Sequence, residues 1–156
     1  MMGKSLIDLG HLSPGLRRSK SGVDYERNLV RKAWDDGLFA LRAAGSGSGT
    51  SAYPKPDLLI FRPGGIIDVV QVKTTKRERF RLGPGTWINE VLVANRLKEL
   101  GFKTRTWLFI RIRGARRAVE VRIRLDGHED DILIVERGAE ESDITFAWKG
   151  DEKKAS

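Results

Sequence analysis

The chain has 156 residues, enough for one domain with a hydrophobic core. It contains no cysteine and only two histidines, which excludes disulfides and Cys-ligated zinc and argues against a His-based catalytic pair. No apolar run is long enough to span a membrane, and the N-terminus lacks the apolar region of a signal peptide. We therefore expect a cytoplasmic protein without membrane association.

The net charge of +8 is distributed unevenly along the chain. Residues 1–125 carry 25 Lys and Arg against 11 Asp and Glu, whereas residues 126–156 carry 4 against 10. A basic body of this kind favours a polyanionic partner such as nucleic acid. The alternative is the charged, cysteine-poor surface that is typical of thermophilic proteins.

The sequence divides into an arm, one domain and a tail. Residues 1–21 contain a Pro-Gly break and a basic run, Arg17-Arg18-Ser19-Lys20, and are predicted to form a flexible basic arm. This arm either reaches a phosphate backbone or is a solvated tail. Residues 22–149 are predicted to form the single domain, and residues 150–156 a charged tail.

Residues 23–36 are predicted to form a helix that Gly37 ends. Its apolar face consists of Leu29, Val30, Ala33 and Trp34. Glu26 stands at the head of this face, where a carboxylate needs a partner or a cation. It is either a site residue or a surface side chain that pairs with Arg31 or Lys32.

A strand over residues 38–43 is followed by a Gly- and Ser-rich loop at residues 45–51. The loop lacks the Lys of a P-loop and the glycine spacing of a dinucleotide fingerprint. Its N–H and hydroxyl groups would suit phosphate oxygens. The alternative is a flexible connector.

Two apolar runs, at residues 58–61 and 66–70, are joined by Arg62-Pro63-Gly64-Gly65 and predict a hairpin. Asp57 precedes the first run, and Gln71 and Lys73 follow the second. Residues two apart share a face of a strand, so Gln71 and Lys73 are expected to converge with Asp57. An Asp, a second oxygen ligand and a Lys predict a metal site for phosphodiester hydrolysis.

The rest of the chain predicts a helix at residues 87–100 and strands at 104–112, 116–125 and 131–135. The 104–125 hairpin alternates apolar and charged residues, which predicts one packed face and one basic, solvated face. Together with the elements before it, this order indicates an α/β fold with a central mixed β-sheet flanked by helices.

Four motifs occur in one order: Glu26-Arg27-Asn28-Leu29-Val30, Arg42-Ala43-Ala44-Gly45-Ser46-Gly47-Ser48, Pro56-Asp57-Leu58-Leu59 and Gln71-Val72-Lys73. Over residues 20–112 this order and spacing resemble the archaeal Holliday junction resolvases of the PD-(D/E)xK nuclease superfamily. The resemblance implies a restriction-endonuclease-like core. It also implies a homodimer that nicks four-way DNA junctions.

By this resemblance, Glu26, Asp57 and Gln71 would hold Mg²⁺ or Mn²⁺, and Lys73 would lie beside the attacking water. Ser46 or Ser48 would match the functional serine of the family's loop. The catalytic set is thus Glu26, Ser46, Asp57, Gln71 and Lys73. The side chains predicted to contact DNA are Arg27, Arg42, Ser46, Ser48, Lys76, Arg77, Arg79 and Arg81.

Gln71 departs from the family pattern, which has a carboxylate at this position. Its amide oxygen can coordinate a metal but carries no charge, so metal affinity is expected to be lower. Asp68 would face the other side of an ideal strand and would need a bulge to replace it. The open alternatives are an active junction nuclease, a DNA-binding relative with weak or no turnover, and a nuclease of the same fold for other DNA structures.

Overall fold

The computed structural model describes residues 2–3, 6–8, 21–43, 53–114, 117–138 and 143–150. Two α-helices lie in these ranges, α1 (Ser21–Asp35) and α2 (Ile88–Glu99), with a 3₁₀ turn at Pro84–Thr86 before α2. The strands are β1 (Met2–Gly3), β2 (Leu6–Asp8), β3 (Phe39–Arg42), β4 (Leu58–Arg62), β5 (Ile66–Thr75), β6 (Arg79–Leu82), β7 (Lys103–Arg113), β8 (Ala118–Arg124), β9 (Ile132–Arg137) and β10 (Ile144–Lys149).

The strands form two sheets. The larger sheet has six strands in the order β2-β8-β7-β5-β4-β3, and the smaller has four in the order β1-β10-β9-β6. In the larger sheet β5 and β7 are parallel, whereas the other pairs are antiparallel. The predicted α/β fold with a central mixed sheet is therefore confirmed.

Helix α1 packs through residues that recur once per turn. Tyr25, Leu29 and Ala33 are buried against the β4 and β5 side chains of one face of the larger sheet. Gly37 adopts a φ of 84°, a left-handed conformation that suits glycine, and ends the helix as predicted. Trp34 was expected on the buried face but is 54% exposed, because its ring lies beside Phe39 at the edge of the helix.

The β4–β5 hairpin and the helix after it determine which side chains meet. Gly64 and Gly65 both have positive φ, at 84° and 74°, which allows the tight turn between the two strands. Because β5 and β7 are parallel, the chain must cross back between them, and α2 lies in this crossover. The first turn of α2 thereby lies near the end of β5, since a crossover helix runs antiparallel to its strands.

The two faces of the larger sheet have separate cores. On the face opposite α1, Ala94 of α2 packs with Ile67 and Val69 of β5. Beside α2, the smaller sheet covers the same face over β7 and β8, in a core that contains the fully buried Trp87. Strands β6 and β10 of this smaller sheet were not predicted from the sequence.

The β7–β8 hairpin differs from the expected basic, solvated face. Arg111 and Glu120 are both buried and lie opposite each other in the strand register. The Tyr25 hydroxyl donates to Glu120 at 2.5 Å, and Arg122 Nε donates to the other carboxylate oxygen at 2.5 Å. Helix α1 therefore covers part of this face, and Tyr25 and Arg122 both pair with the buried Glu120 beneath it.

Parts of the predicted N-terminal arm belong to the sheets. Strand β1 pairs with β10, and β2 pairs with β8. Ser21, the last residue of the predicted arm, begins α1. The other residues of the arm, and most of the 150–156 tail, lie outside the described ranges, so the domain boundaries stay predictions. Neither helix within these ranges is long and apolar enough to cross a membrane.

Candidate active site at the end of the central sheet

Asp57 lies at the start of β4, where three elements meet. The Ala43 N–H donates to the Asp57 carbonyl at 3.2 Å, which extends the β3–β4 ladder to this residue. Asp57 Oδ2 accepts a hydrogen bond from the Val72 N–H at 2.9 Å. Because Val72 stands between Gln71 and Lys73, this bond holds the Asp57 carboxylate beside the second predicted motif.

Glu26 of α1 faces Asp57 from one side. Its side chain is only 13% exposed and accepts a hydrogen bond from Arg42 Nε at 3.1 Å. Burial and the charge of Asp57 raise the pKa of Glu26, and Arg42 opposes this shift. The partner of Glu26 is thus Arg42 on β3 rather than Arg31 or Lys32. Glu26 is a partly buried carboxylate close to that of Asp57.

Gln71 and Lys73 occupy the α2 side of β5. Ile67 and Val69 pack against α2, and Gln71 and Lys73 continue the same alternation toward the end of the strand. The Gln71 amide donates to the Val72 carbonyl at 3.2 Å, and the Lys73 side chain is exposed.

Asp68 does not replace the missing carboxylate of position 71. The β5 register is continuous with both neighbours, so no bulge turns Asp68 toward Gln71. Its buried carboxylate instead pairs with Arg62 and with Arg105, whose Nε lies 2.8 Å from Oδ1. Asp68 therefore belongs to a structural ion-pair cluster on the α1 side of the sheet.

Glu90 in the first turn of α2 is a site residue that the sequence did not reveal. It is 1% exposed, and its Oε2 accepts a hydrogen bond from the Asp57 N–H at 3.1 Å. Its Oε1 is buried and has no hydrogen-bond partner among the residues that the structure describes. Burial and then Asp57 raise the pKa of Glu90 to about 8, whereas backbone hydrogen bonds and Lys73 act in the opposite direction.

These contacts place Asp57 between two acidic neighbours. Its charge raises the pKa of Glu26 on α1 and of Glu90 on α2. A cation beside Asp57 would offset this repulsion, because an opposite charge favours the ionised form of a carboxyl group. In the sequence, Glu90 stands four residues before Ala94, a spacing that places both on the inward face of the helix. This spacing is the one signal that could have predicted the burial of Glu90.

Two neighbouring carboxylates offer hard oxygen donors of the kind that a divalent cation binds together with water. No group of three His, Cys, Asp or Glu side chains within the described ranges could by itself hold a metal ion. Mg²⁺ generally uses one or two carboxylates together with waters and substrate phosphate. Glu26 and Asp57 supply two such carboxylates, and the Glu90 carboxyl group lies against the Asp57 peptide.

The basic residues predicted to contact DNA have different environments. Arg42 is largely buried through its pair with Glu26, whereas Arg27 is exposed and lies 3.9 Å from Asp24. Arg79 is exposed and pairs with Glu136. The other three described side chains of this set are exposed: Lys76, Arg77 and Arg81. Ser46 and Ser48 lie outside the described residues, so their predicted roles remain predictions.

The chain is similar to one known protein family. The sequence profile of the archaeal Holliday junction resolvase (Hjc) family matches residues 17–146. Among curated proteins, none matches the chain. A solved structure of Archaeoglobus fulgidus Hjc, a Holliday junction resolvase from an archaeal hyperthermophile, matches with 23% identity and a TM-score of 0.42. The match covers 65% of this chain and 85% of that one.

The profile spans most of the chain and includes each of the motifs around Glu26, Arg42, Asp57 and Gln71. The chain therefore belongs to the archaeal Holliday junction resolvase family.

Proposed function

We propose that this protein is a metal-dependent endonuclease that nicks four-way DNA junctions by phosphodiester hydrolysis. The observation that carries the proposal is the hydrogen bond from the Val72 N–H to Asp57, which joins the two predicted motifs into one site. Asp57 lies close enough to Glu26, and Lys73 close enough to Glu90, for the charge of the first residue to act on the carboxyl group of the second. Membership of the resolvase family supplies the substrate class.

Each side chain has a role that follows from its chemistry. Glu26 and Asp57 would hold the cation, with the Gln71 amide oxygen as an uncharged ligand. We infer Mg²⁺, with Mn²⁺ as a substitute, because both accept hard oxygen ligands. When bound, such a cation lowers the pKa of water and offsets charge on the phosphate. Lys73 would add a positive charge beside the attacked phosphorus.

The exposed basic side chains favour recognition of the junction through its phosphates. Lys76 and Arg77 follow directly after β5, the strand that carries Lys73, and Arg81 lies in the next strand, β6. We propose that they contact the DNA backbone and position it across the site. Arg42 has a different role, since its guanidinium holds Glu26 and shields it from Asp57.

Symmetric cleavage of a junction also implies a homodimer. Two cuts related by a two-fold axis need two active sites related in the same way. The large aromatic side chains Trp87 and Phe109 are buried within the chain, so they do not contribute a dimer surface. A dimer surface would therefore use other residues, among which Leu92 and Leu100 of the α2 region are exposed apolar side chains.

A second function, DNA binding with little or no turnover, is favoured by Gln71. An amide at this position leaves the described site without a third carboxylate on β5, and no group of three acidic or His ligands occurs among the described residues. Such a protein would bind junctions in a salt-sensitive manner without cleaving them. A nuclease of the same fold that acts on other DNA structures is the third alternative.

Asp57→Asn tests the proposed site. The substitution keeps an oxygen that can accept from Val72 but removes the charge needed by the cation. Cleavage of a labelled four-way junction should fall at least about 1000-fold, which corresponds to about 4 kcal/mol of transition-state stabilisation. Junction affinity, measured by fluorescence anisotropy in chelator, should remain within about threefold, a change of less than 1 kcal/mol.

Asp36→Asn is the matched control, because Asp36 is an exposed carboxylate beyond the end of α1. It should cleave as the wild-type protein does. Retained cleavage in Asp57→Asn would exclude the assigned site, and loss of junction binding together with cleavage would indicate damage to the fold.

A further inference from the structure

Glu90 combines three properties that a structural helix-capping carboxylate does not need. It is almost completely buried, one of its oxygens has no hydrogen-bond partner within the described part of the chain, and its other oxygen accepts a hydrogen bond from the Asp57 N–H. An acid in the first turn does favour the helix N-terminus. That benefit is available at the surface, however, and does not explain why the carboxyl is buried with an unpaired oxygen.

The position of Glu90 coincides with the place where a carboxylate is missing. Gln71 and Lys73 lie on the α2 side of β5, in continuation of Ile67 and Val69. Ala94 packs against the same strand residues, and Glu90 lies one turn before Ala94 on that face of the helix. Because α2 runs antiparallel to β5, its first turn lies over the Gln71–Lys73 end of the strand.

We propose that Glu90 supplies to the metal centre the acidic side chain that Gln71 does not. This inference deepens the proposed nuclease function and rests on it. The carboxyl group comes from α2 instead of β5, lies beside Asp57, and takes the place of the acid that is absent at position 71. Glu90 thereby increases the affinity of the centre for a divalent cation, as partners of metal ligands commonly do.

A charge swap between the two positions tests this inference. The proteins compared are the wild type, Glu90→Gln, Gln71→Glu and the double variant with both substitutions. The probe is Mn²⁺, whose free aqua ion is counted by electron paramagnetic resonance, so the readout does not require cleavage. Gln at position 90 still accepts from the Asp57 N–H, and only the carboxylate is lost.

Glu90→Gln should weaken Mn²⁺ binding by about 10- to 100-fold. Gln71→Glu alone should tighten it, and the double variant should return to within about threefold of the wild type. Glu99→Gln is the matched control, because Glu99 is an exposed acid at the other end of α2. It should bind Mn²⁺ as the wild type does.

Unchanged Mn²⁺ affinity in Glu90→Gln would overturn the inference and leave Glu90 as a tether for the Asp57 peptide. Weak binding that Gln71→Glu fails to restore would also overturn it, because a merely positional role would then explain the loss. Circular dichroism and junction binding in chelator verify that each variant is folded.

The test separates this inference from the proposed function. A wild-type protein that binds Mn²⁺ but cleaves no junction would refute the nuclease proposal, and the swap would still decide the role of Glu90. A wild-type protein that binds no Mn²⁺ would overturn the metal centre and the inference together.

Discussion

The hydroxyl of Tyr25 anchors the helix that carries Glu26, so its removal should weaken both the fold and the site. Tyr25 is buried and donates to Glu120 at 2.5 Å, and Glu120 is itself completely buried. Burial and the nearby Glu120 raise the pKa of Tyr25 well above its ordinary value, so the hydroxyl remains a donor at neutral pH. Tyr25→Phe deletes this donor and nothing else.

The expected loss of stability follows from the hydrogen bonds that Glu120 makes with Tyr25 and Arg122. A hydrogen bond to a charged group contributes roughly 1.5–3 kcal/mol, and Glu120 keeps its second partner, Arg122, at 2.5 Å. We therefore expect the free energy of unfolding to fall by about 2 kcal/mol. For a domain of this size the melting temperature should fall by roughly 4–8 °C.

Urea denaturation monitored by circular dichroism measures this change. Tyr53→Phe is the matched control, since Tyr53 is 79% exposed and its substitution should change the unfolding free energy by less than about 0.5 kcal/mol. At temperatures where Tyr25→Phe is folded, junction cleavage should still be slower than in the wild type, because α1 positions Glu26. A stability loss no larger than that of Tyr53→Phe would refute the role assigned to this network.

Two further predictions concern DNA binding and assembly. The salt dependence of junction binding is the slope of log K against log salt concentration. If Arg77 contacts a phosphate, Arg77→Gln should reduce the magnitude of this slope by about one. Arg96→Gln, on the exposed side of α2, should leave the slope unchanged. An unchanged slope in Arg77→Gln, measured by anisotropy over a series of NaCl concentrations, would remove Arg77 from the interface. Sedimentation at micromolar concentration should show a dimer, and a monomer alone would contradict symmetric cleavage of two strands.

The elements that bear Asp57, Gln71 and Lys73 were predictable because their signals are local. An apolar run, a Pro-Gly-Gly turn and a second apolar run determine a hairpin, and strand alternation determines which residues share a face. The same alternation correctly predicted that Asp68 and Gln71 lie on opposite faces of β5.

Other features depended on tertiary contacts and were not predictable. Strand β6 reads as a basic segment, because only Phe80 is buried and its pairing with β9 is long-range. The burial of Glu120 depends on helix α1 crossing the hairpin from far away in sequence. Glu90 looked like an ordinary first-turn acid, since its contact with Asp57 joins residues that are 33 positions apart.

The measurement that tests the central claim most directly is cleavage of an end-labelled four-way junction and a matched linear duplex by the wild-type protein. Each DNA is incubated with Mg²⁺, with Mn²⁺ or with chelator. We predict paired, symmetric nicks in the junction alone, and only when a metal is present. Tight junction binding without nicks in either metal would contradict the nuclease function, and equal cleavage of the linear duplex would contradict junction specificity.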